Sequence, residues 1–333
     1  MILITGGTGL LGSHLLLELT RKEEPIKAMY RCEERIEQVK KLFQYYLGDI
    51  WETAFAKIEW HAGDILDVPR LEKLMDGVDT VYHSAALVSF VTRDFDKLIK
   101  INREGTANVV NVALHAGVKT LAYVSSTAAI GAKDDEVSTE ETKWKISPKT
   151  SGYSISKYSA EKEVWRGVEE GLDCVIVNPC LIFGPGSWDE SSLTIFRTVE
   201  KGLPFYTPGT NAIVDARDVA EILVQLVDSD IRNERFLCIG KNMPIRDMLS
   251  EIARQLGKKE PSILTPPWLM GLTWRISAIV AFFRGKKPTV TRASANSAFG
   301  RKCYDSSKVK KRLSVEFRCF EETVANTIRG RLN

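Results

Sequence analysis

The sequence predicts an α/β fold, a doubly wound parallel sheet with a smaller, partly interleaved C-terminal lobe. Three observations predict it. Short apolar or β-branched runs alternate with helical patterns through the first half of the chain. A glycine-rich turn follows the first of those runs directly. The rhythm then breaks after Asn178-Pro179, where Gly184-Pro185-Gly186, Gly202-Leu203-Pro204, Pro208-Gly209 and Pro266-Pro267 mark loops.

In order, strands are expected near 1–5, 26–30, 57–61, 79–83, 119–125 and 173–178, and helices at 10–22, 33–47, 67–76, 94–116 and 152–170. This order puts a ligand at the carboxyl ends of the strands. A helical pattern returns over 214–227 and a strand-like run over 235–239, so the two lobes interleave. Residues 1–178 with about 212–240 form a Rossmann-type dinucleotide-binding part, and 179–211 with 241–333 a substrate lobe.

The first run, M-I-L-I-T, opens into T-G-G-T-G-L-L-G, Thr5 to Gly12. Glycines here allow a tight turn, a close approach of backbone to pyrophosphate, and close helix–strand packing, with the helix N-terminus facing the phosphates. Gly6, Thr8, Gly9, Leu10, Leu11 and Gly12 are therefore expected to hold a dinucleotide. The second run ends A-M-Y-R-C-E-E-R, which sets Arg31 at the strand end and Arg35 one helical turn on. A cation there suits a 2′-phosphate and favours NADP; Glu33 and Glu34 keep NAD open.

The fifth run, L-A-Y-V-S-S-T, ends at Ser125, Ser126 and Thr127, where a hydroxyl can hold a substrate carbonyl or alcohol. Downstream, Y-S-I-S-K places Tyr153 and Lys157 one turn apart on one helix face. A free tyrosine titrates near pH 10, so acid/base work near pH 7 asks for a shift of about three units, roughly 4 kcal/mol. A neighbouring ammonium and a cationic nicotinamide both have the sign that favours phenolate.

Composition narrows the remaining classes. With 44% hydrophobic and 27% charged residues and only 12 Pro in 333, the chain is neither disordered nor fibrous. Its 46 Lys and Arg against 43 Asp and Glu leave +3, too near balance to point to nucleic acid. Six Cys form no C-x-x-C pair and four His lack ligand spacing, so no metal site is expected. Reduced thiols and the lack of a secretory pattern suggest a cytoplasmic protein. The apolar run Trp268 to Phe283 is 16 residues long and contains Arg275, whereas a bilayer span needs roughly 20. It is expected to pack on the small lobe or lid an apolar substrate, with peripheral membrane contact the other use. His14 and His83 are expected to be packing residues, and Lys286, Lys287, Lys308, Lys310, Lys311 and Arg312 a solvated surface.

Taken together, T-G-G-T-G-L-L-G, H-S-A-A (83–86), V-S-S-T-A-A-I-G, Y-S-I-S-K and N-P-C-L-I-F-G-P-G resemble the extended short-chain dehydrogenase/reductase superfamily. The branch most resembled holds dihydroflavonol reductases, 3β-hydroxysteroid dehydrogenases and the NAD-dependent epimerase/dehydratase group. V-D-A-R-D-V-A (214–220), K-P-T-V-T-R and Y-D-S-S-K-V-K-K-R-L extend the likeness through the second lobe. The resemblance implies Tyr153 as general acid/base, Lys157 binding the nicotinamide ribose and lowering the tyrosine pKa, and Ser126, or Thr127, orienting the reacting oxygen. It implies Asn102 supporting a water relay to the lysine, Asp64 and Ile65 at adenine, Ala85, Ala86 and Ser125 lining the cofactor, and Pro179 to Ile182 flanking the nicotinamide. Asn178, where many relatives carry Arg, falls with the substrate-binding residues. Ala129-Ile130-Gly131 replaces the V-Y-G usual in sugar-nucleotide enzymes, which favours an apolar substrate. Helices 94–116 and 152–170 match a pair that often builds a two-fold interface, so a homodimer is expected.

The function expected is hydride transfer between NADP(H) and a small, fairly apolar carbonyl compound or secondary alcohol. The alternatives are a nucleotide-sugar epimerase or dehydratase with retained NAD, and a catalytically silent dinucleotide sensor.

Overall fold

The computed structural model describes residues 1–132, 134–148, 150–283, 288 and 291–332; Lys286 and Lys287 lie outside the described residues. Strands and helices alternate as β1 Ile2–Thr5, α1 Leu10–Leu19, β2 Ile26–Tyr30, α2 Glu34–Leu47, α3 Trp51–Phe55, β3 Ile58–Ala62, α4 Val68–Met75 and β4 Thr80–His83. There follow α5 Phe95–Leu98, α6 Gly105–His115, β5 Thr120–Val124, β6 Val137–Ser138, α7 Gly152–Glu169 and β7 Asp173–Pro179. Seven of the chain's strands make one parallel sheet, completed by a later strand at residues 234–238, in the order 234–238, β7, β5, β4, β1, β2, β3. The order reverses between β1 and β4, and that switch point opens at the carboxyl ends of both strands.

The pleat sorts the apolar side chains. Ile2, Ile4, Tyr82, Ala122, Val124, Val175 and Val177 face one layer with Leu15, Leu16 and Phe43. Leu3, Val81, Leu121, Tyr123, Cys174 and Ile176 face the other, against Leu71, Val109, Val110, Ala160 and Val164. Both faces are covered, so these strands read as continuous apolar runs rather than alternating ones.

The second lobe contributes β8 Leu181–Phe183, α8 Thr194–Glu200, β9 Phe205–Tyr206, β10 Thr210–Asp215, α9 Ala216–Asp228, β11 Glu234–Cys238, β12 Lys241–Pro244 and α10 Ile245–Gln255. Beyond them lie β13 Ile263–Leu264, α11 Pro267–Phe283, α12 Arg292–Ser297, β14 Cys303–Tyr304, α13 Ser307–Leu313 and α14 Phe320–Arg329. Strands β12, β10 and β8 form a separate sheet over a core of Phe183, Phe196, Met248, Ile252, Phe320 and Val324. The strand at 234–238 that completes the large sheet is β11.

Two boundaries differ from expectation for identifiable reasons. The helix expected over 214–227 begins at Ala216, because Ile213, Val214 and Asp215 pair with β8 and the Asp215 carboxylate caps the helix by accepting from Arg217 N at 2.9 Å. The helix expected over 94–116 is real but widens to a π stretch at Ile99–Glu104, which carries Asn102. Among the described residues no helix is long and apolar enough to cross a membrane.

Candidate active site

The glycine turn sits at the switch point. Gly6 has φ +73°, and a Cβ on it would lie 2.6 Å from Ala85 N; a Cβ on Gly12 would lie 2.0 Å from Gly6 O. No side chain larger than hydrogen fits at either position without backbone movement. Gly9 N donates to Gly6 O at 3.0 Å and then serves as the N-cap of α1, so no side-chain oxygen occupies the open end of that helix. Thr8, Gly9 and Leu10 are half-exposed along the groove, while Leu11 is 6% exposed and anchors the turn in the core. A small, side-chain-free cradle beside a helix N-terminus is what a pyrophosphate requires, so the residues present fit a dinucleotide.

Around this turn the other expected contacts spread along the strand ends. Arg31 follows β2 directly, is exposed, and has no ion-pair partner among the described residues. Arg35 is instead turned to the second lobe, where its Nη1 donates to Glu190 Oε2 at 3.0 Å. Asp64 closes a local turn by accepting from Leu66 N at 2.9 Å. Ile65 is buried against Gly105, where a Cβ would meet its Cδ1 at 2.4 Å. Ala85 lies over Gly6, and Ala86 beside it is exposed. Pro179 is buried at the end of β7, and Ile182 is half-buried in β8.

Tyr153 and Lys157, the residues expected to do acid/base work, meet where α7 crosses the end of β5. Ser151 caps α7 by accepting from Ser154 N at 3.1 Å, which starts the helix at Gly152, one residue before Tyr153. Burial pushes the Tyr153 phenol above its ordinary range, and a hydrogen bond with Ser126 pulls it partly back. Lys157 is 2% exposed and donates to Tyr123 Oη and Val124 O, both at 2.9 Å. Burial lowers its pKa to about 8, opposed by Glu161. The lowering of the tyrosine pKa that the resemblance implies is opposed here by burial. Here desolvation of the phenol wins, and the phenol keeps its proton at neutral pH.

Several expected residues stand behind the site rather than in it. The Ser125 hydroxyl bonds to the Glu161 carboxylate. Asn178, expected at the substrate, is fully buried; its Nδ2 donates to Ser126 O at 3.1 Å and to Glu161 Oε2 at 2.8 Å. Asn102 spends its amide on Leu87 O and Ser156 Oγ, both at 2.9 Å, while its Oδ1 accepts from Leu87 N at 2.7 Å. It pins the loop after β4 to α7 and makes no direct bond to Lys157. Thr127 bonds to the phenol of Tyr304 in β14. His83 is buried between the Thr5 and Thr106 hydroxyls, at 2.7 and 3.0 Å, and burial depresses its pKa to about 3, so it is a neutral bridge between β4, β1 and α6. His14 is likewise internal, its Nδ1 donating to Leu10 O at 2.7 Å.

Sequence reasoning missed Glu161. It lies 3% exposed one turn beyond Lys157, and it accepts from Ser125, Asn178, Arg235 Nη1 at 2.8 Å and Trp165 Nε1 at 3.3 Å. Its signal was available: Tyr153, Lys157 and Glu161 recur every fourth residue, and an acid on the stripe that holds a buried lysine is its natural counter-charge. Phe90 was missed as well. Its ring stands 5.6 Å from that of Tyr153, edge to face, and with Val88 it leaves an exposed apolar wall on the loop after β4. Ile130, at the position of the tyrosine in V-Y-G, is 3% exposed and packs with Ala212, Leu237, Ile239 and Tyr304.

Comparison with known proteins identifies the family and the fold. The sequence profile of the NAD dependent epimerase/dehydratase family matches residues 2–240. A Synechocystis sp. protein to which dihydroflavonol 4-reductase activity has been attributed by inference is 28% identical over 98% of this chain and 92% of its own length. Sterol demethylase protein B of Methylococcus capsulatus is 30% identical over 80% of this chain and 78% of its own. The crystal structure of gox2253 superposes with a TM-score of 0.79 at 27% identity, covering 99% of this chain and 97% of that one. The chain belongs to the NAD dependent epimerase/dehydratase family, within the extended short-chain dehydrogenase/reductase enzymes.

Proposed function

We propose that this family member is a reductase that moves a hydride between NADP(H) and a carbonyl or secondary-alcohol carbon of a small apolar substrate. The observation that carries this is the Tyr153 phenol, bonded to Ser126, shifted upward by burial and set one turn from a buried lysine. When bound, the dinucleotide supplies the hydride, and its orientation is the protein's contribution.

The chain's own residues do the rest. Ser126 and Tyr153 would hold the substrate oxygen by hydrogen bonds. A phenol that keeps its proton at neutral pH is in the correct state to donate it as charge develops on that oxygen, so the O–H bond of Tyr153 breaks and the alcohol O–H forms. Lys157, cationic below about pH 8, would stabilise the phenolate left behind. Phe90 and Val88 offer apolar surface beside the Tyr153 ring, which suits an apolar ketone better than a sugar nucleotide. Arg31, exposed at the end of β2, supports NADP over NAD. In this reading residues 1–178 with about 212–240 hold the cofactor and the remainder shapes the substrate, and α6 with α7 would form the interface of a homodimer, to be checked by sedimentation.

Tyr153→Phe tests the assignment. Turnover of apolar ketones with NADPH is expected to disappear while NADPH affinity stays within a few-fold by fluorescence titration. Full activity in that variant would end the assignment, and purified protein that retains NAD through dialysis would mark an epimerase cycle instead. Arg31→Ala is expected to weaken NADPH about tenfold and leave NADH unchanged, consistent with the loss of a charged contact to the 2′-phosphate.

A further inference from the structure

Five of the large apolar side chains left in water lie on one element. On α11, Trp268 is 70% exposed, Leu272 48%, Ile276 50%, Ile279 57% and Val280 41%. Their spacing of four, four, three and one residues keeps them on one face of the helix. Met270 and Trp274 are half-buried and Ala281 is buried, so the opposite face is the one that packs on the protein. Just before the helix, β13 adds Ile263 at 49% and Leu264 at 51% exposure. A run of this kind is uncommon on a monomer surface and marks something that covers it.

Charge indicates what covers it. From Pro261 to Tyr304 the sequence has seven Lys and Arg and no Asp or Glu, in a chain whose total is only +3. The rest of the sequence is therefore net acidic; within the segment Arg275 and Arg292 are exposed, whereas Arg301 pairs with Asp135 and Lys302 is half-buried. A second copy of the chain is a poor fit, since a two-fold contact through this face would oppose two like-charged segments. An anionic lipid surface offers both complements, acyl chains for the apolar face and phosphate for the cations.

We infer that α11 is a membrane-surface helix that docks this protein on anionic phospholipid bilayers, lying in the interface without crossing it. With 17 residues and one charge, Arg275, it is too short to span but long enough to lie in the headgroup region with its apolar face about 5–10 Å deep. Arg275 lies at the edge of that stripe, three residues after Leu272 and four before Ile279; its guanidinium stacks on Trp274 at 4.7 Å and bonds Gly271 O at 2.7 Å. From the docked helix the chain returns through α12 to β14, where Tyr304 bonds Thr127 beside Ser126.

The test is co-sedimentation of the full-length protein with extruded phosphatidylcholine vesicles made with and without phosphatidylglycerol. The wild type is expected to pellet at least about tenfold more with the anionic vesicles, and less as salt rises. Leu272→Glu and Ile276→Glu should abolish pelleting, whereas Ile50→Glu, at an exposed apolar residue elsewhere, should not change it. Retention of the thermal shift given by NADPH shows that each variant folds. Quenching of tryptophan emission by lipids brominated on the acyl chains, lost in Trp268→Phe, reports the same contact without a charged substitution. Failure of the wild type to bind anionic vesicles at low salt, or equal binding by the α11 variants, would overturn the inference. So would a dimer that the α11 substitutions dissociate, since a second copy would then be what covers the face. None of these outcomes depends on Tyr153, so the catalytic assignment stands or falls separately.

Discussion

The two ends of the central sheet use similar residues to opposite effect. At the amino ends of the strands, the Met1 ammonium meets Asp79 at 2.9 Å, Lys119 meets the same carboxylate at 2.7 Å, and Lys22 pairs with Asp228. A shallow cavity of about 290 Å³ lies there, lined by Lys22, Lys119, Asp173 and Asp228 among others. Its charges are paired and wet, and pairs of that kind contribute little. At the carboxyl ends, Lys157, Asn178 and Glu161 are withdrawn from solvent and Tyr153 is half-buried, and burial moves the phenol up and the amine down. The lesson is that a lysine and an acid do not mark a site; taking them out of water does, because only then must the protein supply the stabilisation that water gave.

Substitutions at the two ends should therefore differ in kind. Lys157→Met is expected to lower kcat by about two to three orders of magnitude, because it removes the cation that offsets phenolate charge. It also carries a pH signature. The amine titrates near 8 in the folded protein against 10.5 ordinarily, so between those values the unfolded chain binds the extra proton and stability rises with pH. Denaturant unfolding across that window should show the rise in wild type and a flatter profile in Lys157→Met.

Next in size, Gly12→Ala is expected to weaken dinucleotide binding by about one to two orders of magnitude, since the added methyl meets Gly6 O and displaces the turn. Calorimetric titration with NADPH would read it. The smallest effect belongs to the amino end. Asp79→Asn should leave kcat and cofactor affinity unchanged, although hydrogen bonds with Lys119 and the N-terminus hold that carboxyl down to about 2. A depressed carboxyl stabilises the fold above its ordinary pKa and loses that contribution as pH falls through about 2, so the variant should differ from wild type in neutral solution and converge with it in strong acid. A loss of activity in Asp79→Asn would break the contrast between the two ends.

How much was legible depended on whether the responsible interaction was local. The strand expected at 26–30 is Ile26–Tyr30, and the glycine turn leads into α1 at Leu10, because apolar runs and turn chemistry act within a few residues. Tyr153 and Lys157 could be paired on paper because a helix converts a spacing of four into one face. Asp215 and Val214 were misplaced in a helix because what makes them a strand is pairing with Phe183 and Ile182, some thirty residues away in sequence. Arg35 looked available to a cofactor phosphate, yet Glu190 from the other lobe takes it.

By itself, then, the order of residues determined the alternating architecture, the turn that only glycine tolerates, and the helical stripe bearing phenol, amine and carboxylate, all of which follow from backbone sterics and short-range periodicity. Folding in three dimensions decided which of those groups lose their water. That Asn178 and Ser125 serve Glu161, that Asn102 serves Leu87, and that α11 turns its apolar face outward are outcomes of long-range packing. Desolvation depends on everything that surrounds a group, and those surroundings are assembled from segments far apart along the chain.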